Sequence, residues 1–398
     1  MERYRISHRH RMKTISRRIY LKQMAMTAAA SSIPAILIPR SVLAAEEVEP
    51  VPTESEEAAI ADIARQNMVQ YNAPGLSVAI ARHGQLVYQR GFGCADKATD
   101  ERVTTDSLFR IASLTKPITS VAIFLLIEQG RLVLDDLIFG ASGVLKFDFI
   151  DTGGKYSELV TKITLHHLLT HTCGGWENDA NDPMFRKPDL DQEQLITSTL
   201  RDQPLKYEPG THYAYSNFGY CILGRVIEKI TGQSYAEFVQ QNVLAKCGIK
   251  DMQLGANTYA HRAEGEVVYY GQQGLGTNPY NMNVPRMDSH GGWIATPGDL
   301  VQFAMHVDGF KTTPNILRAD TLKTMTTATA ANPNYACGWC VNSIPNWWHE
   351  GSLPGTLSIM VRTASGLCWA ALSNTRVDGF DLDKMMWQMV KAVPAWKA

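Results

Sequence analysis

The 398-residue sequence shows no surplus of one charge: 38 Lys and Arg stand against 39 Asp and Glu, which argues against a protein that grips nucleic acid through a basic face. It has no internal repeat and no low-complexity tract. Hydrophobic residues at 45% and charged ones at 19% exclude a disordered chain. No stretch reaches the roughly 18 consecutive apolar residues of a membrane span. There is no G-x-S-x-G, no P-loop and no dinucleotide fingerprint, which removes the α/β-hydrolases and the common nucleotide-binding enzymes. Metal signatures are missing too, since His166, His167 and His171 are not part of an H-E-x-x-H. The seven cysteines are odd in number and irregularly spaced, so they form no disulfide framework. Cys337 and Cys340 have C-x-x-C spacing but fall in a strand-like run, Tyr335 to Val341. There they would face opposite sides and act as small buried apolar residues.

The balanced charge conceals an asymmetry. Residues 1–44 carry nine Lys or Arg and one acid, leaving the remainder at −9. A basic head, an apolar stretch from Met24 to Ile38 and small residues at Val42-Leu43-Ala44 form the layout of an export signal. Ser16-Arg17-Arg18-Ile19-Tyr20-Leu21-Lys22 resembles a twin-arginine signal, so export to the periplasm or the exterior is expected, with a mature chain beginning near Ala45. Pro34 and Pro39 interrupt the apolar stretch, which disfavours stable membrane insertion, and no Cys stands at the cleavage point for a lipid anchor.

Beyond an acidic leader at 45–56, a helical pattern covers Ala58–Tyr71. A hairpin follows from Leu76 to Phe92 around His83-Gly84. Val121–Ile127 is apolar on every side, which marks a buried helix, and Gly130 stops it. The middle third is richer in helix patterns: Ile163–Leu169, Gln192–Leu200, Tyr220–Ile230 and Tyr235–Leu244. After a further helix, Gly298–His306, strands return at Tyr335–Val341, Leu357–Arg362 and Cys368–Ser373, and a helix near Leu382–Val393 closes the chain. Strands at both ends around a helical middle predict an α/β domain, 57–131 with 288–398, interrupted by a mainly helical domain at 132–287.

Proline fixes the place of one serine. Pro117 would clash with a carbonyl inside a helix, so it must lie in the first turn of the buried helix. Ser113 then sits at the amino end of a helix that enters the core, and Lys116 stacks over it three residues on. A serine hydroxyl needs a base to become a nucleophile, and a lysine held in a low-dielectric core can be that base. The helix terminus adds positive potential where an oxyanion would form. S-x-x-K alone carries little information, because about one is expected by chance in this composition and one is found.

Two further motifs follow in order: Tyr215-Ser216-Asn217 and His349-Glu350-Gly351-Ser352. With them the chain resembles the serine β-lactamase and penicillin-binding-protein superfamily, in the branch of class C β-lactamases, D-alanyl-D-alanine carboxypeptidases, D-aminopeptidases and esterases. Softer signatures are Leu168-Leu-Thr-His-Thr-Cys-Gly-Gly175, Tyr207-Glu-Pro-Gly210, Gly291-Gly-Trp-Ile-Ala-Thr-Pro297 and Gly338-Trp339. The resemblance spans about residues 56–376. It implies an antiparallel sheet flanked by helices with a helical insertion, and a serine hydrolase that needs no cofactor or metal.

It also implies roles. Ser113 would be acylated, and Lys116 would accept or relay its proton. Tyr215 would share that proton, with Lys116 beside it favouring phenolate. Asn217 would bind a substrate amide, or cap the helix starting near Phe218. The backbone N–H groups of Ser113 and Ser352 would hold the oxyanion, with Gly351 allowing close approach. His349 stands where many relatives carry lysine. As an imidazolium it would grip a substrate carboxylate, so KM would rise as pH passes about 6.5. Trp348 would flank the site beside Trp347, and Asn374 and Arg376 are further candidates for a carboxylate. The substrate would be a small molecule or peptide: a β-lactam, a D-amino-acid peptide or an ester. The alternative is a penicillin-binding sensor of the same fold that does not turn over.

Overall fold

The computed structural model describes residues 48–151, 154–271 and 278–396. The segment read as a twin-arginine signal and the cleavage point expected near Ala45 lie outside the described residues. In chain order the elements begin with α1 (Glu54–Gln70), β1 (Gly75–Arg82), β2 (Gln85–Asp96), β3 (Glu101–Arg102), β4 (Phe109–Arg110) and α2 (Thr115–Glu128). Next come α3 (Glu158–Thr161), α4 (Leu165–Leu169), α5 (Pro183–Arg186), α6 (Gln192–Asp202), α7 (Asn217–Thr231), α8 (Tyr235–Val239) and β5 (Gln253–Leu254). The chain returns through β6 (Trp293–Ala295), α9 (Pro297–Met305), α10 (Ala319–Met325), β7 (Cys340–Val341), β8 (Trp347–Leu353), β9 (Thr356–Arg362), β10 (Leu367–Ser373) and α11 (Leu382–Lys391).

Seven strands pair in the order β3-β2-β1-β10-β9-β8-β7, every pairing antiparallel, so the first and last strands of the chain meet at the centre of one sheet. A second small sheet, β4-β6-β5, fastens the segment leading to α2. The β1–β2 turn puts both His83 (φ 44°) and Gly84 (φ 80°) in the left-handed region, the form whose twist matches a two-residue hairpin. Both faces of the central strands are covered. Leu76, Val78, Ile80, Trp369 and Ala371 pack with α1 and α11, whereas Ala79, Ala81, Ala370 and Leu372 join the cluster that holds α2 and α9. That is why β10 is buried at every position.

Three departures from the sequence pattern appear, two of them with evident local causes. Helix α1 begins at Glu54 because Thr53 and Glu56 form a capping box; the acids of the supposed leader are its first turn. The helix at Tyr235 passes into a π-turn at Gln240–Leu244. The strand expected over Tyr335–Val341 reduces to β7, because Gly338 (φ 80°) turns the chain and Ala336 N–H bonds back to the Trp339 carbonyl at 2.8 Å. A Cβ on Gly338 would press on Ser120, the Tyr220 hydroxyl and the Lys116 carbonyl, so this turn is built against α2. All seven cysteines are free, and among the described residues no helix is long and apolar enough to cross a membrane.

Helix α2 is buried from Thr115 to Leu126. Truncating Leu126, which is fully enclosed, to Ala is expected to cost about 2–5 kcal/mol in urea unfolding. Val69→Ser, at a side chain 82% exposed on α1, should stay within about 0.5 kcal/mol. Similar losses at both positions would contradict this assignment of the core.

Candidate active site

Ser113 lies in a 3-10 turn, Ala112–Leu114, that runs directly into α2, and Pro117 takes the third position of the helix. The residue before the serine, Ala112, has φ +50°, a left-handed conformation that costs a residue with a Cβ about 1 kcal/mol or more. Neighbours enforce it. Ser358 Oγ donates to the Ile111 carbonyl at 2.7 Å, Thr356 Oγ1 to the Arg110 carbonyl at 3.0 Å, and Ile111 N–H donates to the Trp293 carbonyl at 3.0 Å. Gly351 on β8 faces the same turn. A Cβ there would collide with Ser358 Oγ and the Ile111 carbonyl, so only glycine lets β8 come this close to the serine.

Lys116 is completely buried, with its Nζ 2.8 Å from Asn217 Oδ1, 2.9 Å from the His290 carbonyl oxygen and 3.1 Å from Ser113 Oγ. Burial brings its pKa down from the usual lysine range to about 7, against the opposing pull of the Asp182 charge. A neutral amine has two N–H bonds and one lone pair. The Asn217 and His290 oxygens can only accept, so they take the two hydrogens, and the lone pair is left for the Ser113 hydroxyl.

Tyr215 stands beside this pair, its ring centroid 4.8 Å from Lys116 Nζ. Burial holds the phenol well above its ordinary range, and its hydrogen bond with Ser113 recovers only part of that. The lysine keeps the part of a base expected from sequence, with a pKa near neutrality, but the phenolate expected of Tyr215 is not favoured, because burial makes the tyrosine keep its proton.

Ser113, Tyr215, Trp348, His349, Gly351 and Ser352 all line one cavity of about 760 Å³. Lys116 and Asn217 lie behind its wall. Asn217 is already committed, its Oδ1 to Lys116 and its Nδ2 to Asp182 Oδ2 (2.8 Å) and Asn178 Oδ1 (3.2 Å). No hydrogen remains for a substrate carbonyl, and Ser216, not Asn217, caps α7. Asn217 instead spaces Lys116 from the buried Asp182.

His349 also differs from expectation. Its Nδ1 lies 2.6 Å from the Glu350 carbonyl and its Nε2 3.0 Å from the Tyr335 hydroxyl, while burial drives its pKa down to about 3. The ring is neutral at ordinary pH, so a KM that rises through pH 6.5 has no source in it. Asn374 is buried and donates to the carbonyls of Cys94 and Val268, and Arg376 is not among the cavity's lining residues. Trp347 packs under the Arg362 guanidinium at 3.7 Å.

Sequence reasoning missed four residues. Asn178 lines the cavity, and Asp182, the cap of α5, has its pKa raised to about 6 by burial; the Asp-Pro pair at 182–183 was a legible helix-start signal. His171 and Tyr335 gave no sign of meeting His349. The cavity's outer end carries Glu350, Asp381 and Asp383, and among the described lining residues there is no Lys or Arg. Burial and mutual repulsion push Asp383 up to about 6 and Glu350 above its usual range. Among the described residues no group of three or more His, Cys, Asp or Glu could hold a metal ion.

A seven-stranded antiparallel sheet with helices on both faces and a serine–lysine–tyrosine cluster at its edge is the setting in which family membership becomes informative. The Beta-lactamase family model matches residues 60–393, and the chain belongs to that family. It is 27% identical over 313 residues to Penicillin-binding protein 4* of Bacillus subtilis (strain 168), covering 72% of this chain and 64% of that one. It is 32% identical over 190 residues to Esterase EstB of Burkholderia gladioli, covering 44% and 46%. The chain therefore spans less than two thirds of the length of these curated relatives. D-amino acid amidase from Ochrobactrum anthropi SV3 shares the fold, with TM-score 0.69, 23% identity and coverage of 85% and 98%.

The amine of Lys116 should titrate near pH 7 in a ¹³C spectrum of lysine-labelled protein, well apart from the exposed lysines near 10.4. Asp182→Asn removes an opposing negative charge and should lower that value further. An amine titrating near 10, or an upward shift in the variant, would contradict the geometry.

Proposed function

We propose that the protein is an exported serine hydrolase that forms an acyl-enzyme on Ser113 and acts on small amides or esters lacking a free carboxylate near the reacting carbonyl. The observation that carries this is the buried Lys116 amine, its pKa lowered to about 7, held 3.1 Å from the Ser113 hydroxyl. In the proposed cycle Lys116 Nζ takes the Ser113 proton as Oγ bonds to the carbonyl carbon. The oxyanion is held by the backbone N–H groups of Ser113 and Ser352. Tyr215 gives its proton to the leaving nitrogen or oxygen as that bond breaks, and the Lys116 ammonium reprotonates the phenolate. Water then reverses the sequence, restoring Ser113 and releasing the acid.

The cavity's charge supports the choice among substrates. Glu350, Asp381 and Asp383 repel a carboxylate, and the neutral His349 offers no counter-charge. β-Lactams and D-alanyl-D-alanine peptides carry that carboxylate, whereas amino-acid amides and neutral esters do not.

A panel of a chromogenic cephalosporin, a p-nitrophenyl ester, a D-amino-acid amide and a D-alanyl dipeptide, read with intact mass, tests this proposal. Turnover of the amide or ester is expected, with Ser113→Ala abolishing it. A stable Ser113 adduct without turnover would instead favour the non-hydrolysing sensor, and preference for the carboxylated members would refute the substrate class. The kcat/KM profile should climb about tenfold per pH unit below 7 and level off above it, as the amine loses its proton. Lys116→Arg, whose side chain stays charged, should lose about 10²–10⁴-fold. For export, N-terminal sequencing of secreted protein should begin near Ala45, and replacing Arg17 and Arg18 by Lys should stop secretion.

A further inference from the structure

A line of buried hydrogen bonds runs through the wall of the cavity and uses groups to which the proposed cycle gives no part. Ser216 N–H meets His171 Nδ1 at 3.1 Å, and His171 Nε2 meets the Tyr335 hydroxyl at 3.1 Å. The same hydroxyl meets His349 Nε2 at 3.0 Å, and His349 Nδ1 meets the Glu350 carbonyl at 2.6 Å.

The two ends fix the direction of every proton between them. A backbone N–H can only donate, so His171 Nδ1 is bare, and a carbonyl can only accept, so His349 Nδ1 carries hydrogen. Both rings are neutral, because burial holds His171 well below its usual range and His349 at about 3, with the nearby Lys116 working in the same direction. His171 must then carry its proton on Nε2 and His349 must have Nε2 bare. The Tyr335 hydroxyl accepts from the first and donates to the second. The two histidines are thus opposite tautomers, and a hydroxyl at residue 335 is the group that joins them.

What lies at the ends gives the line its purpose. Ser216 separates Tyr215 from Asn217, the residue that holds Lys116. Glu350 precedes Gly351 and Ser352 on β8. The rings also enclose Tyr215, with His171 at 4.2 Å, His349 at 6.2 Å and Tyr335 at 6.3 Å between centroids. We propose that Tyr335 is a positioning residue whose hydroxyl, through the two oppositely protonated histidines, locks the Tyr215–Asn217 segment to strand β8 and so sets the spacing between the proton-transfer groups and the oxyanion site. This rests on the proposed Ser113 chemistry for its consequence, but the proton order stands apart from activity.

The test has two arms. In ¹⁵N-histidine spectra of the unmodified protein at pH 7, His171 should show the Nε2–H form and His349 the Nδ1–H form, each assigned by its loss in His171→Gln and His349→Gln. Two like tautomers, or a protonated ring, would overturn the proposal whatever the enzyme does. Tyr335→Phe keeps the ring and strands two buried nitrogens. Both tautomers, held at their outer ends by the Ser216 N–H and the Glu350 carbonyl, should persist, while the Nε2 signals of both rings shift with loss of their shared partner and kcat falls about tenfold or more with KM within about twofold. A variant with wild-type kcat, or one that loses only KM, would also overturn it. If the tautomers hold but the unmodified protein hydrolyses nothing, the proposed function fails and the proton order survives.

Discussion

The site depends on an amine that cannot keep its charge. Lys116 projects from a helix buried on all sides, where an unpaired ammonium would cost several kcal/mol. Two influences favour the charge: Asp182, and the faces of Tyr215 and Tyr220 at 4.8 and 5.7 Å. Burial outweighs them. Asn217 is decisive in that balance, because it separates ammonium from carboxylate. A direct ion pair would raise the lysine's pKa and deprive the serine of its base, whereas an amide between them leaves a group that shares its proton near neutral pH.

The same region is held in a conformation it would not adopt alone. Ala112 is left-handed, and the restraint comes from strand β9 of the large sheet through Thr356 and Ser358. Those side chains meet the Arg110 and Ile111 carbonyls because β8 and β9 pair Gly351 with Ser358 and Leu353 with Thr356. A slip of one residue would turn Ser358 to the opposite face and bring a side chain where glycine is needed. Sheet register, loop strain and the position of the nucleophile are therefore one constraint.

Charge is divided across the cavity. Around the serine Lys116 is near its titration point and both histidines are uncharged, while the lining also holds Glu350, Asp381 and Asp383, the first and last with pKa values raised by burial and by the neighbouring carboxylates. A low-dielectric inner wall strengthens any dipole aimed at a developing oxyanion, and the acidic mouth acts on whatever charge a ligand brings.

Much of this was legible in one dimension. Pro117 placed the helix start, the all-apolar run placed α2 in the core, and the spacing of Ser113 and Lys116 put them on one face; these are local consequences of backbone geometry. The β1–β2 hairpin and the late strands followed from period-two patterning and turn residues, whereas the single antiparallel sheet was implied by the family resemblance. The all-apolar helix also pointed to a lysine able to act as a base, but the charge states of Tyr215 and His349 were not legible. Whether those two are ionised depends on what is packed around them by segments distant in the chain, and sequence spacing carries no measure of desolvation. Asn217 was found in the right place and given the wrong partner, because Asp182 and Asn178 reach it only through the folded loop before α5. Sequence determined which side chains could do chemistry, since covalent identity and local backbone preference are written there; tertiary structure alone decided which of them hold protons, since that is set by exclusion of water.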